Sequence, residues 1–259
     1  MATQVRSAIT RTQDLLFSWI GIGVLVGLWC LVTYGHFIKP LFLPSPTEVL
    51  GGLAHFDDKG WLIPAIYRSF FRVIIALLLV TGIGVPIGVL MGAYTPFDSA
   101  TNRIVNAFKA IPPTGLIGLI ILWFSVEEKA KIVFLFLGSI FYMILLVRNA
   151  ILAVREDFVV VARDMGARGG QILRKVLLPA ALPQIWEAII VCNGIMWTYI
   201  VLAEYINSNP DQIGLGFLLQ VGSHTNESGQ VYGTLILIGA IAYLTDWVLK
   251  GVQKRFFAW

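Results

Sequence analysis

Six long apolar runs dominate the chain, at 15–34, 70–94, 107–124, 132–147, 185–203 and 231–249, with most charges collected between them. A membrane-spanning helix needs about 20 mostly apolar residues, so the pattern predicts an all-α membrane protein with six transmembrane helices. The fourth run is short, but its apolar character continues through Ile151 and Val154 past Arg148, which predicts a helix that runs on beyond the bilayer. A transmembrane β-barrel would show alternating strands of about ten residues, and the chain has none of that pattern.

Charge sets the expected orientation. With both termini in the cytoplasm, the inner segments hold about twice as many Lys and Arg as the outer ones, among them Arg103, Lys109, Arg148, Arg163, Arg168, Arg174, Lys250 and Arg255. Glu48, Asp57, Asp58, Glu127, Glu128, Glu204 and Glu227 fall outside. This is the positive-inside bias, and it accounts for the net charge of +4 without invoking nucleic acid. Only 13% of residues are charged against 57% hydrophobic, which excludes a disordered chain and an ordinary soluble enzyme. The first run is longer than a signal-peptide core and is followed by Tyr34-Gly35-His36-Phe37 rather than a small-x-small cleavage site, so it reads as an uncleaved anchor. Cys30 and Cys192 both lie within runs and read as buried apolar thiols.

Two stretches have unusual backbone. Gly84, Gly88 and Gly92 recur every four residues and share one helix face. Such a face lets helices approach closely in lipid; it serves plain helix packing or lines a moving interface. Pro86, in the same run, predicts a bend. Lys109-Ala110-Ile111-Pro112-Pro113-Thr114-Gly115 opens the third run at its expected inner edge. The double proline either starts a helix or breaks one along a pathway, since irregular backbone at membrane depth is tolerated only where protein or water covers it.

Polar groups within the runs are few. Asn193, Trp197 and Glu204 fall near one face of the fifth run, Glu204 at its outer end. Asn193 reads either as an interhelical hydrogen bond or as a pathway residue, and Trp197 as an interfacial aromatic or a pathway residue. Pro112, Thr114, Asn193 and Trp197 are the candidate substrate pathway, and Glu204 the candidate outer mouth. His36, His55 and His224 are scattered, so no metal cluster is expected. No nucleophile elbow, His-Glu-x-x-His or Walker-type loop occurs, so no catalytic residues are expected and any ATP is bound by another subunit.

The segment between the fourth and fifth runs carries the most specific signal. Val159-Val160-Val161-Ala162-Arg163-Asp164-Met165-Gly166-Ala167-Arg168-Gly169-Gly170-Gln171-Ile172-Leu173-Arg174-Lys175-Val176-Leu177-Leu178-Pro179 mixes apolar residues with cations. A helix is expected to end near the glycines, followed by a short amphipathic segment and a proline stop. Periodicity alone leaves docking to a partner and lying on the membrane open.

This segment resembles the coupling loop of the membrane subunits of ATP-binding-cassette (ABC) importers. That pattern is Glu-Ala-Ala, three residues, Gly, nine residues, then Ile-x-Leu-Pro. Ala162, Gly166, Leu178 and Pro179 match at the right spacing, Val176 stands for Ile, and Val160 and Val161 replace Glu and the first Ala. Leu43-Pro44-Ser45-Pro46-Thr47-Glu48-Val49, the 103–113 segment, Trp123-Phe124, 178–183, Ala203-Glu204, Gly214-Leu215-Gly216 and the 246–255 tail are together similar to the nitrate, sulfonate, taurine and bicarbonate class of importer permeases. The resemblance implies a type I importer permease: a tail at 1–14, a permease domain at 15–259 with its core at about 64–250, and a coupling loop at about 155–184. It further implies a multi-pass protein of a bacterial plasma (inner) membrane and a homodimer. Two ATPase subunits that bind ATP and Mg, an external solute-binding protein and a small oxyanion as cargo complete the expected system. Ala162, Arg163, Gly166, Ala167, Arg168, Ile172, Leu173 and Arg174 are the expected ATPase-coupling residues. Ile172 and Leu173 would fill the ATPase groove, and the cations would meet its rim. The competing readings are a stand-alone secondary transporter or channel and an intramembrane enzyme. A carrier usually shows internal repeats, and 1–125 and 126–259 show none; an enzyme would need paired catalytic groups within the runs.

Overall fold

The computed structural model describes residues 10–206 and 212–257, so 1–9 of the expected tail lie outside the described residues. The described residues form helices and connecting loops without strands. The helix α1 (Arg11–Tyr34) begins with a capping box in which Thr10 and Gln13 satisfy each other's backbone donors. Its apolar window has no buried residues, and it touches the rest through Trp29 Nε1, which donates to the Pro44 carbonyl at 2.9 Å. The short α2 (Pro46–Asp58) is capped by Ser45 with Glu48 three residues on, and carries Pro46 where a missing N–H costs nothing.

Four long helices form the bundle: α3 (Leu62–Ala93), α6 (Glu128–Leu152), α9 (Leu178–Ile206) and α11 (Ser228–Phe256). At 32 residues, α3 is about 48 Å long, well beyond a bilayer core of about 30 Å. It continues through Pro86 to Ala93. The faces of α3 and α6 meet along the glycine stripe. A Cβ on Gly84 would lie 2.8 Å from Met143, one on Gly88 2.6 Å from the Ile144 carbonyl oxygen, and one on Gly92 2.6 Å from Ile151. Lipid offers no hydrophobic force to hold helices together, so this backbone approach supplies dispersion contact that larger residues would prevent. Gly88→Leu should therefore cost about 1–3 kcal/mol or more through overpacking. A lowered unfolding midpoint in detergent would register it, and an unchanged midpoint would show that α3 and α6 can separate freely.

The third run does not form one helix. The segment α4 (Thr95–Lys109) is polar enough to have escaped the apolar pattern, and α5 (Ile117–Phe124) follows after a 3-10 turn at Pro113–Leu116, with the two halves bent by 85°. The described residues thus hold five unbroken apolar helices of spanning length, or six spans if the bent pair is one. Of the two expectations for the double proline, a helix start or a break, the structure has the break, and the bent pair begins at Thr95, ahead of the apolar run at 107. The cause is local: Pro112 and Pro113 lack N–H groups, and a residue preceding proline disfavours the helical region. Arg148 of α6 holds the start of α4 by donating from Nε and Nη2 to both carboxylate oxygens of Asp98.

The remaining helices lie at the two ends of the bundle. At one end are α7 (Glu156–Asp164) and α8 (Gly169–Ile172), within the 155–184 segment. At the opposite, far end, α10 (Leu215–His224) and α2 pack on the start of α11, where Gly52 and Gly229 bring backbones together.

Candidate functional site

The 155–184 segment is a helix–turn–helix. Glu156 and Asp157 sit in the first turn of α7, where negative charge suits the positive end of the helix dipole. The turn is a Schellman motif: Gly166 N donates to the Arg163 carbonyl at 2.8 Å and Ala167 N to the Ala162 carbonyl at 2.9 Å. Gly166 sits at φ +80°, where a side chain would be strained, although its Cβ would meet nothing within 4 Å. The second arm does not stop at Pro179. A π-helical turn at Leu173–Leu177 joins α8 to α9, so loop and fifth span are one rod. The widened i→i+5 turn shifts the hydrogen-bond register just where the proline ring enters.

The loop presents two faces. Ile172 is buried and Leu173 half-buried on the inner side of the loop, beside Ala167, Arg163 and Tyr94 at the joint of α3 and α4. The expectation that Ile172 enters a partner groove is corrected accordingly, since its surface is already used inside the chain, while Leu173 keeps part of its surface open. On the other face, Phe158, Val161, Ala162, Met165, Val176, Pro179 and Ala180 surround an open apolar groove of about 650 Å³, with Lys175 at its edge. Arg163, Arg168 and Arg174 are exposed. Val160, where the coupling-loop pattern has glutamate, is also exposed.

The double-proline break stands level with the middle of α6 rather than at the expected inner edge. Pro113 Cγ stands 3.6 Å from a Cβ placed on Gly138, close to the middle of α6. Pro112, Thr114 and Gly115 are exposed there. Tyr199 of α9 packs on the same Gly138, with Tyr142 of α6 beside it. Asn193 and Trp197 are elsewhere: both are buried inside the bundle, and Asn193 Nδ2 donates to Thr245 Oγ1 of α11 at 3.1 Å. Asn193 Oδ1 and Trp197 Nε1 are buried without hydrogen-bond partners. The four candidate pathway residues are therefore divided between an exposed pair and a buried pair. Tyr199 lies in the fifth run beside the candidates named from sequence, but nothing local to it or to Tyr142 points to the break that the fold brings beside them.

Glu204 joins an ionic cluster at the far end. It accepts from Arg72 Nη1 at 2.6 Å, from Ser69 Oγ at 2.8 Å and from the Gly216 backbone N–H at 2.9 Å. Ser69 in turn accepts from Leu215 N at 2.9 Å. The other side of the Arg72 guanidinium, Nε and Nη2, donates to both oxygens of Glu128. Lys131 Nζ donates to Gln212 Oε1 at 3.0 Å and lies 3.7 Å from Glu128. A Cβ on Gly214 would strike the Glu204 carboxylate and Arg72 Nη1, and one on Gly216 would strike Glu204 Cβ. Gly214-Leu215-Gly216 and Ala203-Glu204 are thus two halves of one contact. The run pattern did not single out Arg72 or Lys131; the spacing of Ser69 to Arg72 and of Glu128 to Lys131, each one helical turn, is the signal that could have found them.

Residues 84–258 match the family described as binding-protein-dependent transport system inner membrane component. The chain is 28% identical to the taurine transport system permease protein TauC of Escherichia coli, over 92% of this chain and 87% of TauC. It is 23% identical to the bicarbonate transport system permease protein CmpB of Synechocystis, over 94% of this chain and 89% of CmpB. The fold is that of a chain from the inward-facing MetNI methionine ABC transporter, with a TM-score of 0.67 and 24% identity over 75% of this chain and 95% of the other.

Proposed function

Because the chain belongs to the binding-protein-dependent transport system inner membrane components, a family of ABC importer permeases, we propose that it forms the translocation pathway of an ATP-driven importer for a small oxyanion. Nitrate, bicarbonate and sulfonates are the cargo class. An external solute-binding protein delivers the cargo, the working unit is a homodimer with two ATPase subunits, and those subunits hold the ATP and Mg. Both termini face the cytoplasm, which puts the 155–184 loop on the ATPase side and the Glu204 cluster outside.

The carrying observation is the exposed apolar groove on the loop, which is continuous with a spanning helix. Exposed apolar surface beside four cations suits a protein partner. Phe158, Val161 and Met165 enter the ATPase, Ala162, Gly166 and Ala167 keep the surfaces close, and Arg163, Arg168, Arg174 and Lys175 meet acceptors at the rim. Ile172 and Leu173 act on the inner side by pressing on the joint of α3 and α4 at Tyr94. ATP-driven approach of two such loops would move α9 and that joint together and alternate access to the pathway. Pro112 and Thr114 at the mid-depth break line the pathway, supported by Tyr142 and Tyr199, since open backbone at that depth needs a wet or protein-covered surface. Asn193 and Trp197 stand behind this lining, and the α9–α11 contact must open for cargo to touch them.

Reconstitution with an ATPase subunit and a solute-binding protein of this importer class tests the reading. Uptake of labelled bicarbonate or taurine into vesicles should require ATP and both partners. Uptake that persists without the ATPase would replace it with a stand-alone carrier.

A further inference from the structure

Four side chains in the far-end cluster differ sharply in depth. Arg72 and Lys131 are 2% and 1% exposed, and Glu204 is 1% exposed, whereas the Glu128 side chain is 44% exposed. The two buried cations are bonded on their shallow side by the Glu128 carboxylate and by the half-buried Gln212, whose carbonyl oxygen accepts from Arg72 Nη2 at 3.2 Å and whose Oε1 accepts from Lys131 Nζ at 3.0 Å. The carboxylates are also held differently. Glu204 is fixed from three directions by Arg72, Ser69 and the Gly216 N–H, and it neutralises one edge of the guanidinium. Glu128 is held through the cations, Arg72 by a two-pronged contact and Lys131 across 3.7 Å, with Arg68 adding to the field around it. Arg72 and Lys131 match Glu128 and Glu204 in number, so swinging Glu128 outward leaves one positive charge in excess around a preformed guanidinium fork.

We propose that Arg72 and Lys131 form an anion-binding site at the outer end of the permease, occupied by Glu128 as an internal stand-in that a soluble oxyanion displaces. This rests on the reading of the chain as an oxyanion importer and adds a selective site in the permease itself. The fork that grips two carboxylate oxygens grips two oxygens of bicarbonate or of a sulfonate equally well. At 3.7 Å the Lys131 contact is longer than a hydrogen bond. A tetrahedral sulfonate has a third oxygen to close that gap, so the site prefers sulfonate to a planar carboxylate. Glu128 keeps the cations covered when no cargo is present and sets a threshold for entry, because ligand must compete with a tethered carboxylate.

The test is methanesulfonate binding to the full-length permease in phosphatidylcholine nanodiscs, measured by titration calorimetry without ATPase or binding protein. Glu128→Gln removes the competitor while keeping shape, and should tighten binding at least about tenfold, as expected if the stand-in occupies the site nine-tenths of the time. Glu128→Gln with Lys131→Met should lose that gain, and acetate should bind the single variant more weakly than methanesulfonate. Should Glu128→Gln fold poorly, Glu128→Asp, whose carboxylate reaches less far, should show a smaller gain in the same direction. An affinity unchanged in both variants would leave Glu128 as a brace only and overturn the proposal. Repeating the titration with anionic phosphatidylglycerol in the disc should leave the affinity intact; competition by that lipid would assign the cations to a headgroup and also overturn it. Failure here with intact ATP-dependent uptake removes the site and leaves the importer reading standing, whereas anion binding without ATPase-dependent uptake does the reverse.

Discussion

Arg72→Met should destabilise the protein more than any other single side-chain change at the far end. It leaves the Glu204 carboxylate buried at 1% exposure with its charge uncompensated, and removes the link between α3, α6 and α9. Breaking one partner of a buried pair costs about 3–5 kcal/mol, because the remaining charge has been taken out of water with nothing to balance it. For a chain of this size that corresponds to a midpoint lowered by roughly 6–20 °C. Differential scanning fluorimetry of the detergent-purified protein measures it. Adding Glu204→Gln to Arg72→Met should recover at least half of the loss, since the amide can still accept from Ser69 and the Gly216 N–H without a charge. A midpoint within a degree or two of the parent for Arg72→Met alone would mean that water reaches the cluster and that the bundle is held elsewhere.

That cluster also marks where a sequence reading stops. The long apolar runs gave the spans because lipid imposes one composition on any helix that crosses it, whatever its neighbours. The broken third span was only half visible: Pro112-Pro113 announced the break, but α4 is polar along one side and lies against α6 through the Asp98–Arg148 pair, so no apolar run outlined it. The short α2 and α10 escaped for a similar reason, as amphipathic helices on the bundle's end rather than spans. The glycine stripe was legible as one face of α3, yet its partner depended on tertiary contact that no local pattern contains. Glu204 was legible as a carboxylate at a helix end, while its partner Arg72 lies 132 positions away along the chain. Charges at the ends of apolar runs look alike in sequence whether they meet water or one another.

The loop offers the other large effect, because its turn can be altered without touching the bundle. Gly166→Arg should leave the permease folded and inserted but abolish ATP-driven uptake. A Cβ at Gly166 meets nothing within 4 Å, so the variant suffers only the left-handed backbone strain of about 1–2 kcal/mol, at a turn whose two Schellman hydrogen bonds use other atoms. The long side chain would then stand on the face where the ATPase must come close. Two companion variants separate strain from crowding. Gly166→Asn adopts positive φ readily and is short, so it should keep most of the uptake. Gly166→Ala carries the strain without the bulk, so it should fall between the two. Co-purification of the ATPase should follow the same order as uptake. If alanine and arginine fail equally, the turn's conformation and not the nearness of a partner is what the glycine protects. If the arginine variant still retains the ATPase and transports at the parental rate, the segment does not dock there at all, and a helix resting on the membrane surface becomes the better account of its exposed Phe158, Val161 and Met165.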